Sequence, residues 1–224
     1  NRIVKTKIDG TGWETLGGLY SGSGQRQFYS PQGIFYDSSS EFIYVADRTN
    51  NRIVKTKIDG TGWETLGGPS SGSEQGQFKN PYGIFYDSSS EFIYVADRTN
   101  NRIVKTKIDG TGWETLGVLR SPGPGSEQFS NPSGIFYDSS SEFIYVVDAT
   151  NHRIVKTKID GTGWETLGGF DNPQDIFYDS SSEFIYVIDT GYSHRIVKTK
   201  IDGTGWQTLG VAGSGQRQFS NPYG

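Results

Sequence analysis

The chain has 224 residues, and it contains no cysteine, no methionine and only two histidines. The lack of cysteine excludes disulfides and thiolate metal sites. No run of 18 or more apolar residues is present, so the sequence predicts no membrane-spanning helix.

Apolar residues are scarce as well, at 33% of the chain, whereas aromatic residues make up 14%. Large rings bury much area from few positions, so a packed core is feasible. The formal net charge is −4 at pH 7. A general nucleic-acid surface needs a basic face, and nucleic acid is therefore not an expected partner.

What the chain has in abundance is repetition. The string NRIVKTKIDGTGWETL at 1–16 recurs unchanged at 51–66 and 101–116, and residues 33–67 are identical to 83–117. Two further copies follow with small differences. A period of this size indicates one supersecondary unit copied along the chain.

Each unit is predicted to contain four short strands. In the copy at 83–117, apolar or alternating runs lie at 84–86, 92–95, 102–108 and 113–116, separated by turn-forming residues. The alternation in the third run predicts a strand with its lysine side in water. Four strands per unit and no helical periodicity favour an all-β protein, a β-propeller of four-stranded antiparallel blades.

The string GSEQGQFKNPYG at 72–83, followed by IFYD, IYVAD and NNRIVK, closely resembles the NHL repeat, and the resemblance covers the whole chain. It implies a β-propeller, most often of six blades in this family. Three features depart from the family pattern. Ser40-Glu41 stands where the family has a turn glycine, Phe35-Tyr36 is bulkier than usual, and the fourth full unit lacks the Q-F-x-x-P loop.

We expect a single propeller domain over residues 1–224 with about five blades represented. Residues 1–17 would form a half blade and 211–224 a loop that leads to a missing strand. Because an unclosed sheet needs a partner, we expect either a longer chain, in which six blades are possible, or a second chain that completes the half blade. The full blades are expected at 33–67, 83–117, 134–168 and 176–210.

Several residues have side chains suited to metal binding. His152 and His194, at equivalent positions of neighbouring units, are weak metal candidates. Lyases and lactonases related to the NHL family need a metal-binding cluster that breaks the repeat, and none is found, so we predict no cofactor, no catalytic residue and no enzyme. A carboxylate also ends the second strand of every full unit. Its repetition favours pairing with a nearby arginine such as Arg52 over calcium binding. These carboxylates are Asp47, Asp97, Asp148 and Asp189.

Strand alternation places two sets of loops on one rim, those between units and those between the second and third strands. Arginine and tyrosine, which are frequent at interfaces, occur in these loops. The predicted ligand-binding residues of this rim are Arg26, Tyr29, Arg48, Lys79, Tyr82, Arg98, Arg120 and Arg217.

The favoured function is a non-catalytic binding or scaffold propeller that takes a protein or other ligand on this rim. Its resemblance to bacterial and archaeal arrays with phrases such as GTGWETLG implies part of a larger exported or surface protein, hence an extracellular or cell-surface place. Two alternatives remain open. One is a structural protein that assembles with other copies of itself through the open half blade, and the other is a metal-dependent enzyme of the lyase or lactonase type.

Overall fold

The structure is a computed structural model that describes residues 1–68, 70–118, 122–192, 194–213, 218–219 and 222. A two-stranded sheet comes first, four antiparallel four-stranded sheets follow in chain order, and a short parallel pair ends the described part. The strands are β1 (Arg2–Lys5), β2 (Glu14–Gly17), β3 (Pro31–Asp37), β4 (Phe42–Asp47), β5 (Arg52–Thr56), β6 (Glu64–Gly67), β7 (Pro81–Asp87), β8 (Phe92–Asp97), β9 (Arg102–Thr106), β10 (Glu114–Leu116), β11 (Pro132–Asp138), β12 (Phe143–Asp148), β13 (Arg153–Thr157), β14 (Glu165–Leu167), β15 (Pro173–Asp179), β16 (Phe184–Asp189), β17 (Arg195–Thr199), β18 (Gln207–Leu209), β19 (Val211–Ala212) and β20 (Gln218–Phe219).

The first strands of neighbouring four-stranded sheets lie side by side: β3 against β7, β7 against β11, and β11 against β15. Their backbones approach closely. A Cβ atom on Gly33 would lie 2.3 Å from the carbonyl oxygen of Tyr82, so only glycine fits there. These inner strands therefore surround a common axis and the later strands of each sheet lie further out. This is the β-propeller predicted from the sequence.

Short 3₁₀ turns connect the second and third strands of three sheets, at Arg48–Asn50, Arg98–Asn100 and Ala149–Asn151. The residue after each turn has a positive φ, 53° at Asn51 and 55° at Asn101, which asparagine tolerates better than most residues. Its side chain also reaches the next sheet, because Asn51 Oδ1 accepts the Asn80 N–H at 3.0 Å. One residue thus ends the turn and ties two sheets together.

Aromatic rings fill the space between neighbouring sheets. Tyr44 of β4 stacks on Tyr86 of β7 with 4.1 Å between ring centroids, and the equivalent pairs at the next two interfaces lie at 4.2 and 4.3 Å. Phe35 of β3 contacts Phe85 of β7 at 4.8 Å. Such pairs add about 0.5–1.5 kcal/mol each beyond the area that they bury. A chain with few aliphatic residues thereby gains a continuous core.

The third strand of each sheet differs from its predicted form. In β9, Ile103 and Val104 are both fully buried although they point to opposite faces. Lys105 is half-buried over the Phe92 ring, 4.5 Å from its centroid, and pairs with Glu114. The lysine side of this strand is therefore only partly in water, because neighbouring sheets pack on both faces at Ile103 and Val104.

A buried ion pair lies at the rim end of every four-stranded sheet. Asp97 Oδ2 accepts hydrogen bonds from Arg102 Nε and Asn100 Nδ2, both at 2.8 Å, and Oδ1 accepts one from the Lys79 N–H at 2.7 Å. Burial raises the pKa of the Asp97 carboxyl, against the lowering effect of these donors. Equivalent pairs join Asp47 to Arg52, Asp148 to Arg153 and Asp189 to Arg195, so the predicted pairing is confirmed.

The arginine of each pair also holds the preceding loop. Arg102 Nη1 donates to the Ser73 carbonyl at 2.6 Å, and Nη2 donates to the Gln77 carbonyl at 2.9 Å. The Arg102 guanidinium further lies 5.6 Å from the Trp113 ring centroid. One guanidinium therefore joins a loop, two strands and the hairpin that contains the tryptophan.

We expect Arg102→Ala to lower the free energy of unfolding by about 3–5 kcal/mol, because it leaves Asp97 buried without its counter-ion. Urea denaturation monitored by tryptophan fluorescence measures the loss. Arg2→Ala is the matched control, since Arg2 holds the same repeat position in β1 but is exposed. A change within about 0.5 kcal/mol is expected for the control. Equal losses in the two variants would contradict the assignment.

Candidate functional site

A depression of about 510 Å³ lies on the axis, at the end where the inner strands begin. All four four-stranded sheets contribute to its wall. The 3₁₀ turns supply Arg48 and Arg98, and β7 supplies Tyr82. The full set is Arg48, Asn80, Tyr82, Arg98, Thr99, Asn131, Asn172 and Gln174.

The two arginines make this depression cationic. Among the residues that the structure describes, no carboxylate forms an ion pair with Arg48 or Arg98, and none lines the depression. The Nε atom of Arg48 is buried and has no hydrogen-bond partner there. The Arg98 guanidinium lies 4.5 Å from the Tyr82 ring centroid, so the ring holds it in place. Arginine pairs bidentately with carboxylates, and an anionic group therefore suits this wall.

The amide side chains around the arginines are fixed by bonds within the protein. Asn80 Nδ2 donates to Thr99 Oγ1 at 3.0 Å, and Gln174 Nε2 donates to Asn172 Oδ1 at 2.9 Å. Asn131 repeats the first of these bonds with Thr150 at 3.0 Å. These bonds preorganise the polar wall, so a ligand meets a surface that is already ordered.

The depression does not share the symmetry of the repeat. Arginine follows the buried aspartate only in the second and third sheets, and Ala149 and Thr190 take its place in the other two full units. Among the four full units, tyrosine likewise occurs at this position only as Tyr82, and the other three have Gln32, Ser133 and Gln174. The positive charge is thus concentrated on one side of the axis.

Of the predicted rim residues, the structure brings Arg48, Tyr82 and Arg98 together. Tyr29 and Lys79 occupy equivalent loop positions with exposed side chains, and neither lines the depression. The side chain of Arg26 lies against Gly60 in the turn between β5 and β6, at the opposite end of β5 from the Arg48 turn.

Two further predicted residues, Arg120 and Arg217, lie outside the described residues. Ligand binding by this set of side chains stays a prediction.

The two histidines occupy structural positions of the repeat. His152 replaces the asparagine that ends the 3₁₀ turn, with φ 55°, and its Nδ1–H donates to the carbonyl of Asp171 in the next unit. The backbone N–H of His194 donates to the Gly191 carbonyl at 3.4 Å. In the described part of the chain, no three His, Asp or Glu side chains come together as a metal site would need.

Asp175 breaks the repeat in the inner strand β15. It stands where the other sheets have Gly33, Gly83 and Gly134, and its half-buried carboxylate lies against Gly134. The hydrogen bond found for it within the described residues comes from the adjacent Ile176 N–H at 2.9 Å. Burial raises the pKa of this carboxyl. The P-Q-D string at 173–175, against P-x-G in the other units, was the signal available in the sequence.

Comparison with known proteins shows the fold. No family model matches the chain, and no curated protein matches it. A solved structure of a nidogen/laminin complex is similar over 88% of this chain and 73% of the other, with TM-score 0.67 and 21% identity. A streptogramin B lyase structure is similar over 80% of this chain and 54% of the other, with TM-score 0.59 and 18% identity.

These likenesses support the β-propeller. The NHL resemblance itself stays a prediction, because no family model carries it. Among the described residues, no helix combines the length and the apolar character needed to cross a membrane.

We expect Asp175→Asn to make the protein more stable than the parent at pH 7, and the gain to shrink towards pH 4. The parent carboxyl has a raised pKa in the folded state. The stability that the protonated Asp175 carboxyl contributes is therefore fully present below the unfolded pKa of about 3.9. It is lost as pH rises through the folded pKa, because the buried carboxyl then has to ionise. Free energies of unfolding at several pH values test this.

Asp109→Asn is the control with the opposite sign. Hydrogen bonds from Thr111 lower the pKa of Asp109, so that carboxylate stabilises the fold above the unfolded value and the contribution is lost as pH falls. A gain for Asp175→Asn that is constant or falls with rising pH would contradict the placement of Asp175.

Proposed function

We propose that this chain is a non-catalytic binding propeller that holds an acidic segment of a protein ligand in the arginine-lined depression. The observation that carries the proposal is the pair of guanidiniums, Arg48 and Arg98, that face the depression without a carboxylate partner among the described residues. A guanidinium that is partly desolvated and unpaired gains most when a ligand supplies the missing charge.

The rest of the wall fits a peptide. Tyr82 offers an aromatic surface beside Arg98, and tyrosine and arginine are the residues that most often dominate protein interfaces. The oxygen atoms of Asn80 and Asn131 remain available as acceptors for backbone N–H groups, because each amide nitrogen already donates to a threonine. The whole chain has a net charge of −4, so attraction of an acidic ligand has to be local.

The comparisons give this proposal its setting. The similar nidogen/laminin structure is a complex between proteins, which supports protein binding as a use of this architecture. Assignment to the NHL family, a single domain over 1–224, and an extracellular or surface place within a larger exported protein belong to the same proposal. The lyase among the similar structures contributes fold likeness alone at 18% identity.

A fluorescein-labelled hexaglutamate peptide tests the site by fluorescence anisotropy. We expect the parent to bind it at low ionic strength, and the double variant Arg48→Ala/Arg98→Ala to bind it at least about tenfold more weakly, the equivalent of about 1.4 kcal/mol. Binding should also weaken as salt is added, since the contact is electrostatic.

Arg26→Ala is the control for loss of a positive charge elsewhere, because it removes one charge from a side chain that lies against Gly60 and outside the depression. It should leave the affinity within about twofold of the parent's, and a neutral hexaglutamine peptide should not compete with the labelled peptide. An equal loss in Arg26→Ala, or no binding by the parent, would refute the proposal.

A further inference from the structure

The first sheet has an open edge. In the described structure β1 hydrogen-bonds to β2, whereas β5, which has the same RIVK sequence, pairs with β6 on one side and β4 on the other. The edge of β1 that corresponds to the β4 side therefore presents its backbone N–H and C=O groups. Such an edge is a template for another strand.

This sheet nevertheless sits in the normal place beside its neighbour. Asn1 Oδ1 accepts the Ser30 N–H at 2.9 Å, as Asn51 Oδ1 does from Asn80 at 3.0 Å. Leu16 of β2 is fully buried and packs with Phe28 and Ile43. The open edge is thus held in register with the rest of the propeller.

The neighbouring strand β3 is uncovered at the same place. Ile34 is 49% exposed although its equivalent Ile84 is 6% exposed, and Tyr36 is 51% exposed. A cavity of about 500 Å³ separates these side chains from β1 and is lined by Ile3, Val4, Ile34, Tyr36, Ile43 and Ile58 among others. The same I-F-Y sequence is less exposed in β7 than in β3. The difference therefore comes from the neighbouring sheet and not from the strand itself.

The next interface shows what fills this space. There Tyr44 of β4 stacks on Tyr86 of β7 at 4.1 Å, and Ala46 joins Tyr44 in the cluster that buries Ile84. Tyr36 corresponds to Tyr86, and Ile34 corresponds to Ile84. The uncovered face therefore fits a strand that carries tyrosine and, two residues later, a small residue.

Among the residues described, the edge of β1 also lacks the carboxylate that pairs with arginine in the other sheets. Arg52, Arg102, Arg153 and Arg195 each pair with an aspartate on the adjacent second strand. Arg2 holds the same position in β1, and no described residue forms an ion pair with it. A strand that ends in aspartate would supply the missing carboxylate.

We propose that the open edge of β1 is a binding site for a β-hairpin of the repeat's own kind, whose second strand pairs antiparallel to β1. The register follows the other sheets, in which Asp47, Ala46 and Tyr44 face Arg52, Ile53 and Lys55. Aspartate then lies opposite Arg2, alanine opposite Ile3, and tyrosine opposite Lys5. This interaction is separate from the rim depression.

An intact second copy of the chain cannot occupy the site without rearrangement. Every such hairpin in the described structure, β3–β4 for example, already has its second strand paired on both sides in its own sheet. The ligand is thus a free hairpin with the sequence PQGIFYDSSSEFIYVAD of residues 31–47, or one with the same pattern.

A synthetic peptide of residues 31–47, with two added lysines for solubility, tests the site on the full 224-residue chain. We expect binding at one peptide per chain by calorimetry, a rise in melting temperature, and slower amide hydrogen exchange in β1. The same peptide with Asn in place of its last Asp should bind at least about tenfold more weakly, because Arg2 then lacks a charged partner.

Two variants of the protein locate the contact. Tyr36→Ser should weaken peptide binding, whereas Tyr192→Ser, which changes a tyrosine that is 96% exposed in the connection between β16 and β17, should not. Absence of binding would overturn the proposal. So would binding that protects amides elsewhere, binding that is equal for the Asp and Asn peptides, or an edge already covered because the free protein is a dimer with protected β1 amides.

Discussion

The buried pair of aspartate and arginine is the interaction on which each full sheet depends. Its carboxylate receives hydrogen bonds from the turn, from the third strand and from the loop that enters the sheet, and its guanidinium holds that loop by two carbonyl groups. A buried charge pair of this kind adds little stability over an apolar substitute, but it tolerates few alternative geometries. It thereby fixes the loops of the rim to a rigid frame.

Because this frame fixes the backbone, the side chains of the rim can differ from unit to unit while the fold stays the same. The residue after the aspartate is Arg48 or Arg98 in two units and Ala149 or Thr190 in the others, while the aspartate itself is retained in all four. The side chains that line the depression are thus attached to positions whose backbone is already determined. A small number of substitutions in an otherwise symmetric ring is enough to produce an off-centre cationic surface.

Much of this could be predicted from the sequence, because the repeat reports the same strand pattern several times. The four strands, the Asp–Arg pairs and three of the lining residues, Arg48, Tyr82 and Arg98, were available in this way. The inner asparagines and Gln174 were not, since their role depends on the inner strands meeting at one axis.

Two other features lay beyond pattern reasoning for physical reasons. The burial of Ile103 together with Val104 depends on sheets packed on both faces, and alternation along one strand cannot report it. Arg26 has φ 60° and its side chain lies against Gly60, a contact between a loop and a distant hairpin turn that a residue pattern cannot report.

The identity of residues 33–67 and 83–117 has a consequence for how the chain folds. Both segments form the same four-stranded sheet after loops of different sequence, 18–32 and 68–82, and nothing inside either segment distinguishes the second position in the ring from the third. A folding chain at high concentration can therefore dock one segment in the place of the other, or exchange it with another molecule, at equal contact energy. Correct order rests on covalent connectivity and on the few residues outside the identical blocks.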